Sequence, residues 1–271
     1  MNTDHLQKQQ IMAIAPAVYG TPKETVSRRY VYVPTFEILE LLENEGFYPV
    51  RVEQTGKRDN KTDWSKHLIR FRHEDYLGPL QRDALIPEVC IINSHDAKST
   101  LHVLAGIFKV LCSNGLIVAD GEYQKTKFRH FGNAEEVVDT VFDVVRQMPR
   151  ILDNTKEMKS IELTPDERGV FANAALALKW PIEQHPNILR SALRTEVLLP
   201  KRKEDNKRDL WTTFNVVQEN LIKGGVKIWK TEGKKRKVKS RQVTAINEDV
   251  RLNKALWILA EEMKQIKLGR T

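Results

Sequence analysis

The sequence predicts an α+β fold, with an antiparallel sheet in the N-terminal half, helices packed on it, and a helical C-terminal half carrying a basic β-ribbon. Residues 28–130 contain several short β-branched or alternating stretches, which favour strands. Residues 131–271 repeat apolar side chains at helical spacing. We expect residues 1–27 to form an N-terminal segment and residues 28–271 a single domain, sheet-rich over 28–130 and helix-rich over 131–271.

Cap and turn residues divide the N-terminal half into elements. The stretch RRYVYV at 28–33 predicts a short strand, and Thr35 predicts the cap of a helix that ends at Gly46. A turn at Ser113-Asn114-Gly115 is predicted from the Asn-Gly dipeptide. The predicted strands cover residues 47–54 and 67–73, which form a hairpin, 88–93, 100–111, whose apolar spacing also suits a helix, and 116–119.

The C-terminal half is predicted to contain four helices. Pro149 falls after three turns of the first, so we expect a kink there rather than an end. The second begins with a Thr-Pro-Asp-Glu signal and runs to Trp180, and residues 181–208 are expected to be a loop. The predicted N-terminal residues of the four helices are Asn133, Thr164, Asp209 and Asn247.

The strongest functional signal is the charge of residues 223–241. This segment holds nine Lys or Arg residues and one Glu, a net charge of +8, which equals the net charge of the whole 271-residue chain. Its β-branched residues and the turn at Glu232-Gly233 predict a two-stranded ribbon over 226–243 and oppose a helix, where like charges would repel each other. Such charge density attracts polyanions, above all nucleic-acid phosphates. The alternative is a solvated hairpin that binds nothing.

Two groups of residues form the predicted nucleic-acid interface. On the ribbon, cations neutralise phosphates while one tryptophan stacks on a base; these residues are Lys227, Trp229, Lys230, Lys234, Lys235, Arg236, Lys237, Lys239 and Arg241. On the first hairpin, alternation predicts a second basic surface that includes Arg51, Arg70 and Arg72. Surface strands often alternate with arginine, so an ordinary solvated face is the alternative for this second group. The aromatic residues Trp211, Phe214 and Trp257 lie on apolar helix faces and are predicted to be core.

The part of the sequence that most resembles a catalytic site is Asn93-Ser94-His95-Asp96. A histidine beside an aspartate, with His102 nearby, suits a general base or a metal site. However, neighbouring strand residues point to opposite faces, and Asn, Ser and Asp favour turns. We therefore predict a turn, with no catalytic residue and no metal, and keep a metal-dependent nuclease as an alternative.

No other motif predicts a cofactor. The sequence has neither a phosphate-binding GxxxxGK[ST] loop nor a GxGxxG fingerprint, so we expect no nucleotide cofactor. Cys90 and Cys112 match no zinc spacing and are predicted to be buried, reduced thiols. No apolar run approaches eighteen residues and no signal peptide is evident, so we expect a cytoplasmic protein that does not enter the membrane.

Four strings resemble a known family. The chain is similar to the phage/plasmid-like proteins grouped as domain of unknown function 932, from about residue 28 to the last helix. The strings are NSHDAKST (Asn93–Thr100), GIFKVLCSNGLIV (Gly106–Val118), DLWTTFNVVQENLIKGG (Asp209–Gly225) and DVRLNKALWILAEEM (Asp249–Met263). The resemblance implies a mobile-element protein, from a phage, prophage or plasmid, that acts on DNA or on host defence. It assigns no activity and no catalytic residue.

Taken together, these features predict nucleic-acid binding without base-specific readout. We expect single-stranded DNA as the partner, in replication or recombination of a mobile element, with strand annealing as one concrete form. Annealing proteins commonly set basic residues on a curved antiparallel sheet and form homo-oligomers. The alternative from another class is a regulatory or counter-defence protein whose ribbon binds an acidic host protein.

Overall fold

The fold is α+β, as the sequence predicts. The structure is a computed structural model and describes residues 5–56, 63–81, 84–110, 114–117, 127–128, 132–229 and 237–270. Contacts divide the chain into two compact units, the first ending at Pro149 and the second beginning at Arg150. Whether residues 28–271 fold as one domain stays a prediction.

An antiparallel sheet is the centre of the first unit. Its strands follow each other in chain order from β1 to β5, and β6 pairs with the same edge of β4 as β5 does. The strands are β1 (Phe47–Gln54), β2 (His67–His73), β3 (Leu85–Asn93), β4 (Leu101–Lys109), β5 (Asn114–Ile117) and β6 (Lys127–Phe128). Strands β2 and β3 are buried on both faces over most of their length, which explains why residues 89–92 read as an unbroken apolar run.

Helices and an extended N-terminal stretch pack on this sheet. Helices α1 (Lys8–Ile14) and α2 (Thr35–Asn44) bury Ile11, Ile38 and Leu42. Three hydrogen bonds attach the N-terminal residues to the sheet and its loops: Leu6 N–H to the Pro49 carbonyl (2.6 Å), Ala17 N–H to the Gln54 side chain (3.0 Å), and Lys23 N–H to the His95 carbonyl (2.8 Å). Residues 5–27 therefore belong to the first unit.

The second unit is a helical body that carries a two-stranded ribbon. Helix α6 is its centre, and an aromatic cluster of Trp211, Phe214 and Trp257 lies between α6 and α7, with ring centroids 5.6 to 6.4 Å apart. This confirms that these aromatics are core. The elements are α3 (Ala134–Ser160, which begins in the first unit), α4 (Pro165–Lys179), α5 (Arg190–Val197), α6 (Leu210–Lys223), β7 (Lys227–Trp229), β8 (Lys237–Lys239) and α7 (Ile246–Leu268).

Local signals predicted most of these elements. The bounds of β1 and β2 agree with the sequence, and helix α3 continues through Pro149 as expected. Thr164 caps α4 in a complete capping box with Glu167, and the Asp209 carboxylate accepts the Thr212 N–H at 2.7 Å to cap α6.

Five local predictions are wrong. Asn247 does not cap the last helix, because α7 already begins at Ile246, after Ala245. Residues 28–33 are not a strand but an irregular segment whose Tyr30 hydroxyl donates to the Ser94 carbonyl. The Asn114-Gly115 dipeptide lies inside β5 instead of a turn. Within 181–208, expected to be a loop, α5 forms. Thr35 begins α2 but does not cap it, because its hydroxyl bonds to His67 at 2.8 Å.

The first hairpin does not present the predicted basic surface at Arg70 and Arg72. Arg70 is only 3% exposed and contacts Glu88, itself 2% exposed, at 3.2 Å. Arg72 binds the other oxygen of the same carboxylate at 2.7 Å and lies over the Phe108 ring at 4.2 Å. Arg51 is exposed, but it pairs with Glu53 at 2.6 Å. The prediction is wrong for Arg70 and Arg72 because alternation cannot show that both sheet faces are covered.

Removing the Glu88 carboxylate should destabilise the sheet strongly. The change Glu88→Ala leaves two guanidinium groups without their shared buried partner, and we expect a loss of about 3–5 kcal/mol in the free energy of unfolding. The matched control is Glu53→Ala, which breaks an exposed pair in the same sheet and should cost about 0–1 kcal/mol. Chemical denaturation of both variants measures the difference; equal losses would show that the Glu88 cluster is not a buried ion pair in solution.

Candidate nucleic-acid interface

The ribbon begins where helix α6 ends, at two consecutive glycines. Gly224 has φ 71°, and a Cβ atom there would lie 2.7 Å from the carbonyl oxygen of Arg241, so that only glycine fits. The two strands are then joined at this root: Gly225 N–H donates to the Ser240 carbonyl at 2.9 Å, and Ser240 N–H donates to the Val226 carbonyl at 2.8 Å. The glycine pair therefore turns the chain out of the helix and directly into the ribbon.

Strand pairing places the tryptophan and the lysines of the ribbon at corresponding positions. Lys227 is opposite Lys239, Ile228 is opposite Val238, and Trp229 is opposite Lys237. Directly opposite residues share one face of an antiparallel pair, and successive residues alternate between faces. One face therefore carries the Trp229 and lysine positions, and the other carries Ile228, which is 8% exposed.

Helix α5 holds the first strand of the ribbon. The Leu189 N–H, just before α5, donates to the Trp229 carbonyl at 2.9 Å. The Lys227 ammonium lies 3.7 Å from Glu196 on the same helix, although the lysine side chain remains exposed. Trp229 itself is half-buried. Strand β7 is therefore attached to α5 by one backbone hydrogen bond and one ion pair.

The outcome for the ribbon residues follows from these contacts. The prediction of a two-stranded ribbon is confirmed for the described residues, and Lys239 and Arg241 are exposed. Lys237 lies in β8 opposite Trp229. The remaining predicted residues lie outside the described residues: Lys230, Lys234, Lys235 and Arg236.

One residue at the ribbon root has no sequence signal. The Lys179 ammonium, at the end of α4, donates to the Leu221 carbonyl near the end of α6 and to the Arg241 carbonyl, the latter at 3.5 Å. Burial lowers the pKa of Lys179 to about 8, although the Glu248 carboxylate acts in the opposite direction. Sequence reasoning missed it because a single lysine at a helix end is ordinary, and only the fold brings two carbonyls to it.

The two units differ strongly in net charge. The second unit holds 26 of the 44 Lys and Arg residues and 16 of the 36 Asp and Glu residues, a net charge of +10, whereas the first carries −2. The segment 223–241 supplies +8 of that total. The polyanion-binding signal therefore belongs to the second unit.

Asn93 ends β3, and residues 94–96 lie in the loop between β3 and β4, where the turn was predicted. The Asp96 carboxylate accepts hydrogen bonds from the Ser94 hydroxyl at 2.9 Å and the Lys98 N–H at 3.0 Å, the pattern of a side chain that stabilises a turn. His95, by contrast, is fully buried, and its ring lies edge-on to Tyr32 with centroids 5.0 Å apart. Among the residues that the structure describes, no group of three His, Cys, Asp or Glu side chains is placed to hold a metal ion.

Beneath this loop lies a buried polar cluster that the sequence did not predict. The His67 Nδ1 lies 2.9 Å from the Ser65 carbonyl, which fixes Nδ1 as the protonated nitrogen, so Nε2 accepts from the Thr35 hydroxyl at 2.8 Å. Thr35 in turn accepts from the Asn93 amide at 2.9 Å. The ring of His95 is 5.2 Å from that of His67. The cluster joins α2, β2 and the β3–β4 loop, a structural task that explains these polar residues without catalysis.

Comparison with known proteins identifies the family. The model of a domain of unknown function (DUF932) matches residues 22–257. The chain belongs to this family. Two relatives from Escherichia coli (strain K12), the UPF0380 proteins YfjQ and YafZ, are each 33% identical over 261 residues, which cover 95% of this chain and 91% of each relative. No solved structure matches at a significant level. In the described part of the chain, no helix is long and apolar enough to cross a membrane.

The buried histidine should make the first unit sensitive to acid. Burial lowers the pKa of His67 to about 4, although its bond to the Ser65 carbonyl acts in the opposite direction. The unfolded chain, in which histidine has its ordinary pKa of about 6.5, therefore binds one more proton between these two pH values. Stability is full above about pH 6.5 and falls as the pH drops to about 4, by roughly 3 kcal/mol for this residue.

Hydrogen exchange of the β2 and β3 amides across this pH range measures the effect. The variant His67→Gln keeps a polar side chain but cannot take up the proton. Its loss in the free energy of unfolding between about pH 6.5 and pH 4 should therefore be smaller than that of the wild type by roughly 3 kcal/mol. Parallel pH dependence in the wild type and the variant would contradict a neutral, buried His67.

Proposed function

We propose that this protein binds the sugar-phosphate backbone of single-stranded nucleic acid through the ribbon, without reading base sequence. The observation that carries the proposal is the pairing of Trp229 with Lys237 and of Lys227 with Lys239, which gathers an aromatic ring position and three lysine positions on one ribbon face. Lysine contacts phosphate as a point charge, and the tryptophan ring can stack on an unpaired base whatever its identity.

Single strands are favoured over duplex for a physical reason. An aromatic ring at the centre of a phosphate-contacting face needs a base whose face is accessible, and bases in a duplex are already stacked on both sides. The described ribbon is short, with three paired residues in each strand. Lysines that contact phosphates carry no information on base identity, so this binding would not depend on sequence. DNA is the preferred partner in this proposal, because the family resemblance implies a mobile genetic element, and replication or recombination is the process we infer.

A salt series tests the phosphate contacts. If the ribbon neutralises about five phosphates, the logarithm of affinity for a labelled oligothymidylate should fall with the logarithm of salt concentration at a slope of about −3.5. The variant with alanine at Lys234, Lys235, Arg236 and Lys237 should flatten that slope and weaken binding equally for all sequences.

The matched control for this variant keeps the charge at the same positions. Replacing Lys234, Lys235 and Lys237 by arginine should preserve the slope, since arginine also binds phosphate. Equal binding by the wild type and the four-alanine variant at every salt concentration would mean that the charge is only a solvated surface.

The tryptophan should behave differently from the lysines. Trp229→Ala should lower affinity by about 1–3 kcal/mol and leave the salt slope nearly unchanged, because stacking releases no counterions. Trp229→Phe keeps an aromatic face and should retain most of the affinity. A change in slope as large as that of the lysine variant would contradict the stacking role.

Binding to an acidic host protein is separated from this proposal by one control. If the ribbon binds a protein, a partner should co-purify with the chain from cells after nuclease treatment. If it binds nucleic acid, the same treatment should remove the co-purifying material.

A further inference from the structure

A basic loop lies beside the ribbon root in the second unit. It joins α5 to α6 and covers residues 198–209, with the sequence LLPKRKEDNKRD. The Asn220 amide on α6 donates to the Val197 carbonyl at 2.9 Å and to the Leu199 carbonyl at 3.0 Å. These bonds attach the start of the loop to the last turns of α6, directly before the glycines that begin the ribbon.

The middle of the loop is fixed by Arg202. Its guanidinium donates to both carboxylate oxygens of Glu219, at 2.8 and 2.7 Å, and to Asp205 at 2.9 Å. Both acids are buried, and the fork geometry of arginine matches a carboxylate in this way. Arg202 is therefore a positioning residue and is not available for phosphate.

The neighbours of Arg202 face outward. Lys201 and Lys203 are both exposed, while the two acids that Arg202 binds, Asp205 and Glu219, are buried. Glu204, also exposed, is the acid that remains on the outer side of the loop. This sorting leaves positive charge on the surface and negative charge beneath it.

The Glu219 carboxylate lies between cations of the loop and of the ribbon root. Burial acts to raise the pKa of the Glu219 carboxyl, but Arg202, with Lys201 and Lys223 nearby, holds it below its usual value. Lys223 is the first residue of the basic segment and lies 3.7 Å from Glu219. The Glu219 carboxylate therefore contacts both Arg202 of the loop and Lys223 at the ribbon root.

We propose that Lys201 and Lys203 extend the phosphate-binding surface of the ribbon, so that one single strand of nucleic acid contacts the ribbon and the loop together. The inference rests on the proposed function, since it names further residues of the same site. The Arg202–Glu219 pair holds both lysines in place, which allows their charges to act without the entropy cost of ordering a free loop.

The test compares salt slopes for binding of the labelled oligothymidylate by the full chain. The double variant Lys201→Ala with Lys203→Ala should make the slope less negative by about 1.4, since each phosphate contact contributes about 0.7. Charge reversal, Lys201→Glu with Lys203→Glu, should lower affinity further at every salt concentration. The matched control is Lys156→Ala with Lys159→Ala, two exposed lysines on α3 in the same unit, which should leave the slope unchanged.

The outcomes separate the two proposals. A normal slope in the loop variant together with a flattened slope in the ribbon variant overturns this inference and leaves the proposed function standing. An equal change in the loop variant and in the α3 control also overturns it, because net charge alone would explain the effect. Absence of any binding by the wild type overturns both. Thermal unfolding at the wild-type temperature confirms that each variant is folded.

Discussion

The burial of helix α6 along its whole length constrains the rest of the second unit. Every residue from Leu210 to Ile222 is buried, polar ones included, so their hydrogen bonds must be made inside the protein. Asp209 caps the first turn, Gln218 donates to Asn253 of α7 at 2.7 Å, and Glu219 binds Arg202. The last two bonds attach α7 and the basic loop to definite positions on α6, and the ribbon root continues from its last turn.

Sequence rules predicted the features that depend on neighbouring residues, such as helix caps. They failed for elements whose formation depends on contacts with distant parts of the chain. The caps at Thr164 and Asp209 need only the first turn of a helix, so the sequence is sufficient. Tyr and Val side chains give residues 28–33 strand propensity, but among the described strands none pairs with this segment. Helix α5 has eight residues, too few for a clear apolar period, and it forms by packing Leu193 and Val197.

Charge in the sequence located the candidate site but could not show which charges are neutralised. The two-stranded form of the ribbon was predicted correctly from its β-branched residues and turn, whereas Lys223 and Lys227 have acidic partners, Glu219 and Glu196, that the charge count did not reveal. For Arg70 the alternation pattern misleads, because the arginine binds the buried Glu88 carboxylate, and Arg202 of the basic loop binds the buried Glu219 in the same way. A buried carboxylate binds arginine tightly enough to exclude it from any ligand surface. The exposed lysines beside such pairs are the better candidates for phosphate.

This division between arginine and lysine has a consequence for specificity. Arg202 beside the ribbon root and Arg70 and Arg72 on the first hairpin bind carboxylates inside the protein, where their planar fork matches the partner, whereas Arg241 of the ribbon is exposed. The described ribbon strands instead present lysine, a flexible donor that favours charge over shape. The rigid fork of arginine suits bidentate base readout, whereas lysine acts as a flexible point charge that suits phosphate. In the function that we propose, such a surface would follow a phosphate chain of any sequence, and its selectivity between strands would come from the accessibility of a base to Trp229.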